Sequence, residues 1–113
     1  MFLQTWKKYL PVIILLMKRS EKGEQVLDMN YTDFQRATGG KKTKLTFSSL
    51  QLDNGRTNYD ANNTQLAKDL ILVLQENEQT GAMLKNKQFE FSVNSSYQLT
   101  IRNSTVTEQE EAV

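Results

Sequence analysis

Proton-transfer chemistry needs an imidazole, a pair of carboxylates at a fixed separation, or a nucleophile whose pKa has been lowered. This chain of 113 residues contains no His and no Cys. That removes imidazole bases, Ser-His-Asp triads, thiolate nucleophiles, zinc ribbons and disulfides. Its aspartates, Asp28, Asp33, Asp53, Asp60 and Asp69, are scattered through capping, turn and surface contexts. Glu108, Glu110 and Glu111 stand in a C-terminal acidic run that nothing holds in place. No Ser or Lys stands in a strained elbow or beside a base. The expectation is a non-enzymatic chain that uses no metal and no cofactor.

Phosphate chemistry offers a nearer candidate. The run Thr38-Gly39-Gly40-Lys41-Lys42-Thr43 looks like a nucleotide loop, but that motif needs Gly at position 35 and Ser or Thr at position 42, where Gln35 and Lys42 stand. The glycines fit a turn cap better. Lys41, Lys42 and Lys44, followed by Phe47, are the densest basic cluster, and Arg56, Lys18 and Arg19 complete a possible phosphate-binding set. Such cations would hold the backbone of single-stranded or structured RNA or DNA, with an exposed aromatic stacking on bases. Against this, edge-strand lysines commonly serve only to stop a sheet from pairing with other chains. The net charge of +1 is also low for a nucleic-acid binder of this size. A second basic run, Lys85 to Lys87, leads into Phe89 and Phe91, but it lacks the glycine of an RNA-recognition strand. Those two aromatics are expected in the core.

The most informative segment is the N-terminal one. Phe2, Leu3, Trp6, Leu10, Ile13, Ile14 and Met17 recur at three- and four-residue steps, the stripe of an amphipathic helix. Pro11 either opens that helix or kinks it. With Tyr9, Val12, Leu15 and Leu16 also apolar, the helix carries more hydrophobic circumference than one modest sheet should cover. A partner surface is implied, and a second copy of the chain is the simplest one. The leading expectation is therefore a binding or assembly module, homodimeric through these seven residues, with nucleic-acid binding through the lysine edge as the alternative. The apolar run of residues 9–17 is too short to cross a hydrocarbon core that needs about 20 residues. It also lacks a cleavage site, so it is read as part of the domain in a cytoplasmic protein, with an interfacial anchor as the lesser alternative and a membrane partner not expected.

The elements that must position these residues follow from periodicity and turn chemistry. Residues 24–31 alternate as a half-buried strand. Residues 32–40 suggest one helical turn, with Thr32 as N-cap and the glycines closing it. Residues 44–52 change phase near Ser48 and Ser49, which calls for a β-bulge. Asn54-Gly55 is a hairpin turn signal, and the polar return strand from Arg56 belongs at an edge. A helix then buries Leu66, Ala67, Leu70, Val73 and Leu74, with Lys68, Asp69, Gln75 and Glu76 turned to water. A shorter helix spans residues 78–86, and a final hairpin sets Phe89, Phe91 and Val93 beside Tyr97, Leu99 and Ile101.

The result is an α+β fold: an antiparallel sheet of four to five strands, including two hairpins, packed against an N-terminal helix and a central helix pair. Residues 1–103 form one domain and residues 104–113 a flexible acidic tail. Apolar residues make up 38% of the chain and Asn, Gln, Ser and Thr about a third, so the core is modest and the surface polar. Up to Arg56 there are ten Lys and Arg against five Asp and Glu, and beyond it four against eight. The near-zero net charge is a cancellation between two halves.

Overall fold

The computed structural model describes residues 2–41, 45–53, 56–61 and 64–104, with only the backbone of Arg56. The chain runs α1 (Leu3–Arg19), a 3-10 turn (Ser20–Lys22), β1 (Gln25–Asp28), α2 (Tyr31–Ala37), β2 (Phe47–Asp53), β3 (Arg56–Ala61), α3 (Thr64–Glu76), α4 (Glu78–Asn86), β4 (Phe89–Val93) and β5 (Gln98–Asn103). The five strands form one antiparallel sheet in the order β1-β5-β4-β2-β3. The α+β class, the two hairpins and the central helix pair are as the periodicity implied.

Residues that face each other across the ladders share one side of the sheet. Leu27, Leu99, Ile101, Phe91, Val93, Phe89, Leu50, Leu52 and Phe47 fall on the side that the helices cover. The other side carries Asp28, Gln98, Thr100, Arg102, Glu90, Gln51, Asn58 and Asp60, and among the described residues no helix lies on it. The molecule is thus two layers with one core between them. The expected bulge is present as a register shift between Phe47 and Ser49, which brings Phe47 and Leu50 into the same core. β3 lies at the edge, as its polar sequence required.

Pro11 lies inside α1, a continuous helix of 17 residues, rather than at its start. Its missing N–H frees the Lys7 carbonyl, a loss that costs about 3 kcal/mol in a helix interior. Pro11 is on the exposed side, where water can take up that carbonyl. The cap of α2 is Asn30, whose side-chain oxygen accepts from the Thr32 N–H, not Thr32 itself. The glycines close α2 as expected: Gly39 and Gly40 have φ of 69° and 82°, and the Gly40 N–H donates to the Gln35 carbonyl. The break between α3 and α4 is made by Asn77, which accepts from the N–H groups of Gln79 and Thr80. A Cβ on Gly81 would stand 3.2 Å from the Gln75 carbonyl oxygen, so this close turn favours glycine there.

One expectation fails instructively. Asp69 does not face water; its relative exposure is 0%. Its Oδ2 accepts from the Phe2 backbone N–H at 2.7 Å, and its Oδ1 accepts from the Gln65 amide at 2.6 Å. One turn away the Trp6 indole N–H donates to the Leu66 carbonyl at 3.0 Å. Two hydrogen bonds from α1 to α3 thus fasten the start of the chain onto its central helix. Replacing Asp69 with Ala strands the buried Phe2 N–H and removes a contact of Gln65, and should cost about 2 kcal/mol. Asp69→Asn keeps an acceptor and should cost less than half of that in a urea titration. Equal losses in the two variants would show that the bonds contribute nothing.

Candidate functional site

A side chain is available to a partner only if the core has not taken it, so burial decides first. Of the seven α1 residues expected at a self-association surface, Phe2, Trp6, Ile13 and Met17 are at most 3% exposed within the chain's own core. Leu3 and Leu10 pack against that core, and Ile14 is half-buried. The apolar excess of the helix is therefore largely absorbed by its own sheet and by α3. What remains outside is Val12 at 39% and Leu15 at 44% exposure.

The rest of the outward face is cationic. Gln4, Lys7, Lys8, Pro11, Val12, Leu15, Lys18 and Arg19 are all exposed. At 3.6 residues per turn they fall within about 140° of arc. No acidic residue occurs in α1. Among the described residues, Lys7, Lys18 and Arg19 have no acidic partner, while Lys8 is bound to Asp33 at 2.9 Å. Glu21, which follows the helix, is occupied by Lys87. Lys18 and Arg19 sit in the last turn, where the helix dipole favours positive charge.

Beside this arc, α1 and α2 enclose a cleft of about 330 Å³ whose walls include Gln4, Thr5, Lys8, Asp33 and Arg36. Its geometry is set by one carboxylate. Asp33 Oδ2 accepts from Lys8 Nζ and from the Tyr9 hydroxyl, each at 2.9 Å, and that hydroxyl accepts in turn from the Asn30 N–H at 2.7 Å. The Lys8 hydrogen bond, then the Tyr9 one, holds the Asp33 carboxyl below its ordinary range. The hydrogen bond to Asp33 raises Lys8 in return, and burial raises Tyr9. Asp33 therefore stays ionised and has no use as a base; it is a clamp between two helices.

Only part of the expected phosphate set falls on described residues. Lys41 is exposed just before β2, whereas Lys42 and Lys44 lie outside the described residues. Arg56 opens β3 opposite Asp53, at the end of β2 away from Phe47. Lys18 and Arg19 lead into β1, on the opposite edge of the sheet from β3. Phe47 cannot stack on a base, being 1% exposed. Phe89 and Phe91 are core, as expected. A cavity of about 510 Å³ lies elsewhere, where the α3–α4 turn meets the end of β2, and includes Leu52, Asp53, Glu76, Glu78 and Lys85. Asp53 there accepts from the Gln88 amide. Among the described residues no cluster of three or more potential metal ligands occurs.

Two features escaped the sequence reading. Val12 and Leu15 enter the sequence pattern only as part of the apolar excess of the first helix, whereas residues 3–19 laid on a helix set them among the lysines. The Lys8–Asp33–Tyr9 clamp joins residues 24 and 25 positions apart, and no local pattern marks it. The chain matches no protein-family model, no curated protein and no solved structure.

The clamp has a pH signature. Asp33 is lowered on folding, so its contribution is complete above its unfolded value of about 3.9 and is lost as pH falls through the lowered one. Lys8 and Tyr9 are raised, so theirs is complete at neutral pH and lost as pH rises past about 10. In thermal unfolding followed by Trp6 fluorescence, the advantage of wild type over Asp33→Asn should be constant from neutral pH to about 5 and should shrink below about 4. An undiminished advantage at pH ~2.5 would remove the clamp.

Proposed function

We propose that this protein is a non-enzymatic binding module whose partner surface is the outward face of α1. The observation that supports it is the arc itself: four cations, no acid, and two exposed aliphatic side chains between them. The partner that suits this arc is anionic. A second copy of the chain suits it less well, because a two-fold axis would set lysines against lysines around only two apolar residues. The lysine-edge reading for nucleic acid draws less support, since β3, which Arg56 opens, and β1, which follows Lys18 and Arg19, are opposite edges of the sheet.

Retention on immobilised heparin, a generic polyanion, tests this reading. The full chain should be retained at low salt and released as salt rises. The charge-reversed variant Lys7→Glu/Lys18→Glu/Arg19→Glu should pass through unretained, whereas Lys41→Ala/Lys42→Ala/Lys44→Ala should keep most of the retention. The opposite ranking would move the site to the loop before β2 and restore the nucleic-acid reading. Sedimentation at micromolar concentration should show a monomer. A dimer that dissociates in Leu15→Asp would restore self-association. As a check on burial, Val12→Ser and Leu15→Ser should change stability by no more than about 0.5 kcal/mol, against about 2–4 kcal/mol for Ile13→Ala.

A further inference from the structure

We propose that the anionic partner is the surface of a negatively charged phospholipid bilayer, on which α1 lies flat. This rests on the binding reading above and names its partner. The first argument is the chemistry between the cations. Lys7 and Lys8 stand near one end of the arc, Lys18 and Arg19 at the other, about 15 Å away along the axis. The exposed side chains between them are aliphatic, Val12 and Leu15. Nucleic bases are gripped by stacking on aromatic rings, and the aromatics of α1 are turned inward: Trp6 is buried and Tyr9 is held by Asp33. Aliphatic groups flanked by lysines on one side of a helix suit the boundary between headgroups and acyl chains.

The second argument is the cleft beside the arc. Lys8, Arg36 and the Thr5 side chain open onto about 330 Å³, room enough for a headgroup phosphate. Asp33 also lines it, but its charge is met by Lys8 and it receives the Tyr9 hydroxyl. The third argument is the placement of negative charge. Asp28, Asp60 and Glu90 lie on the side of the sheet away from the helices, with Arg102 beside Glu90. These three carboxylates stand in the layer away from the four cations of α1, so the face that α1 presents is more positive than the net charge of +1 alone implies. No described helix is long and apolar enough to cross a membrane. A surface contact makes no such demand, because the inward side of α1 stays in its own core while the outward side meets the lipid.

Co-sedimentation of the full chain with vesicles tests this, using phosphatidylcholine alone and phosphatidylcholine with about a third phosphatidylserine. The chain should bind the anionic vesicles, release in high salt and ignore the neutral ones. Lys18→Ala/Arg19→Ala should weaken binding about 30-fold, at about fivefold per cation. Leu15→Ser should weaken it about tenfold, and Lys68→Ala on α3 should leave it unchanged. Equal binding to neutral vesicles, or an unaltered Lys18→Ala/Arg19→Ala variant with native circular dichroism, would overturn the proposal. Heparin retention without vesicle binding would overturn the lipid partner and leave the binding reading standing. Loss of both would overturn both.

Discussion

A carboxylate held out of water joins the first helix of this protein to its third. Burying an ionised Asp is costly unless hydrogen bonds replace its hydration, and Asp69 has its replacement from Phe2 and Gln65. The Phe2 N–H is one of the donors that a helix start leaves without an intrahelical acceptor. One bond therefore satisfies two groups that would otherwise be stranded. It also places a negative charge where the α1 dipole is positive. With Trp6 bonded to the Leu66 carbonyl one turn on, the rotation of α1 about its own axis is set. Everything on the opposite side of the helix follows: once Trp6, Ile13 and Met17 point inward, Lys7, Leu15 and Lys18 must point outward.

The same fastening gathers an aromatic cluster around Phe34. Trp6 meets Phe34 edge-on with ring centres 5.3 Å apart, Tyr9 stacks on it at 6.2 Å, and Tyr97 does so from the last hairpin at 5.6 Å. Tyr97 adopts a φ of 59°, a conformation that disfavours most non-glycine residues. Its carbonyl accepts from the Met29 N–H, and its ring lies 4.9 Å from that of Tyr31, so neighbours on both sides hold it there. Phe34 is thereby held from two elements, α1 and the last hairpin, and α2, a helix of only seven residues, is fixed with it. An isolated helix of that length would not persist in water. The cleft beside α1 exists because the cluster, together with the Asp33 clamp, keeps α2 in place.

Local patterns carried much of the fold. The alternation in β4 and β5, the stripe of α3, the bulge near Ser48 and the polar edge strand were all legible, because each is decided within about ten residues. Asp69 was not. On the α3 wheel it stands at the border of the stripe, next to Leu66 and Val73, where either side is open to it. The partner that draws it inward is 67 residues away. The apolar excess of α1 shrinks for a related reason. Eleven apolar residues near the N-terminus looked like more than one sheet could cover, but that estimate left out α3 and α2 as further walls. With those walls in place only Val12 and Leu15 remain substantially outside. A surplus that seemed to demand a second copy of the chain is mostly internal core.

What survives of the sequence reading is the imbalance of charge, and the fold gives it a direction. A basic first half and an acidic second half need not yield two faces, since folding can interleave them, and in part it does: Arg102 lies between Glu90 and Glu24, and Lys87 meets Glu21. α1 escapes that mixing. It has no acid of its own, and among the described residues the carboxylate found against its outer side, Asp33, pairs with Lys8 alone of its four cations and otherwise takes the Tyr9 hydroxyl. Net charge governs attraction at distances beyond the size of the molecule, where this chain is close to neutral. At contact, within about 8–10 Å in physiological salt, only the charges on the nearest face are felt. A nearly neutral protein with one cationic helix face is therefore poorly steered from afar and strongly oriented once it arrives. That combination suits an extended, stationary anionic surface better than a small mobile ligand, which would depend on long-range capture.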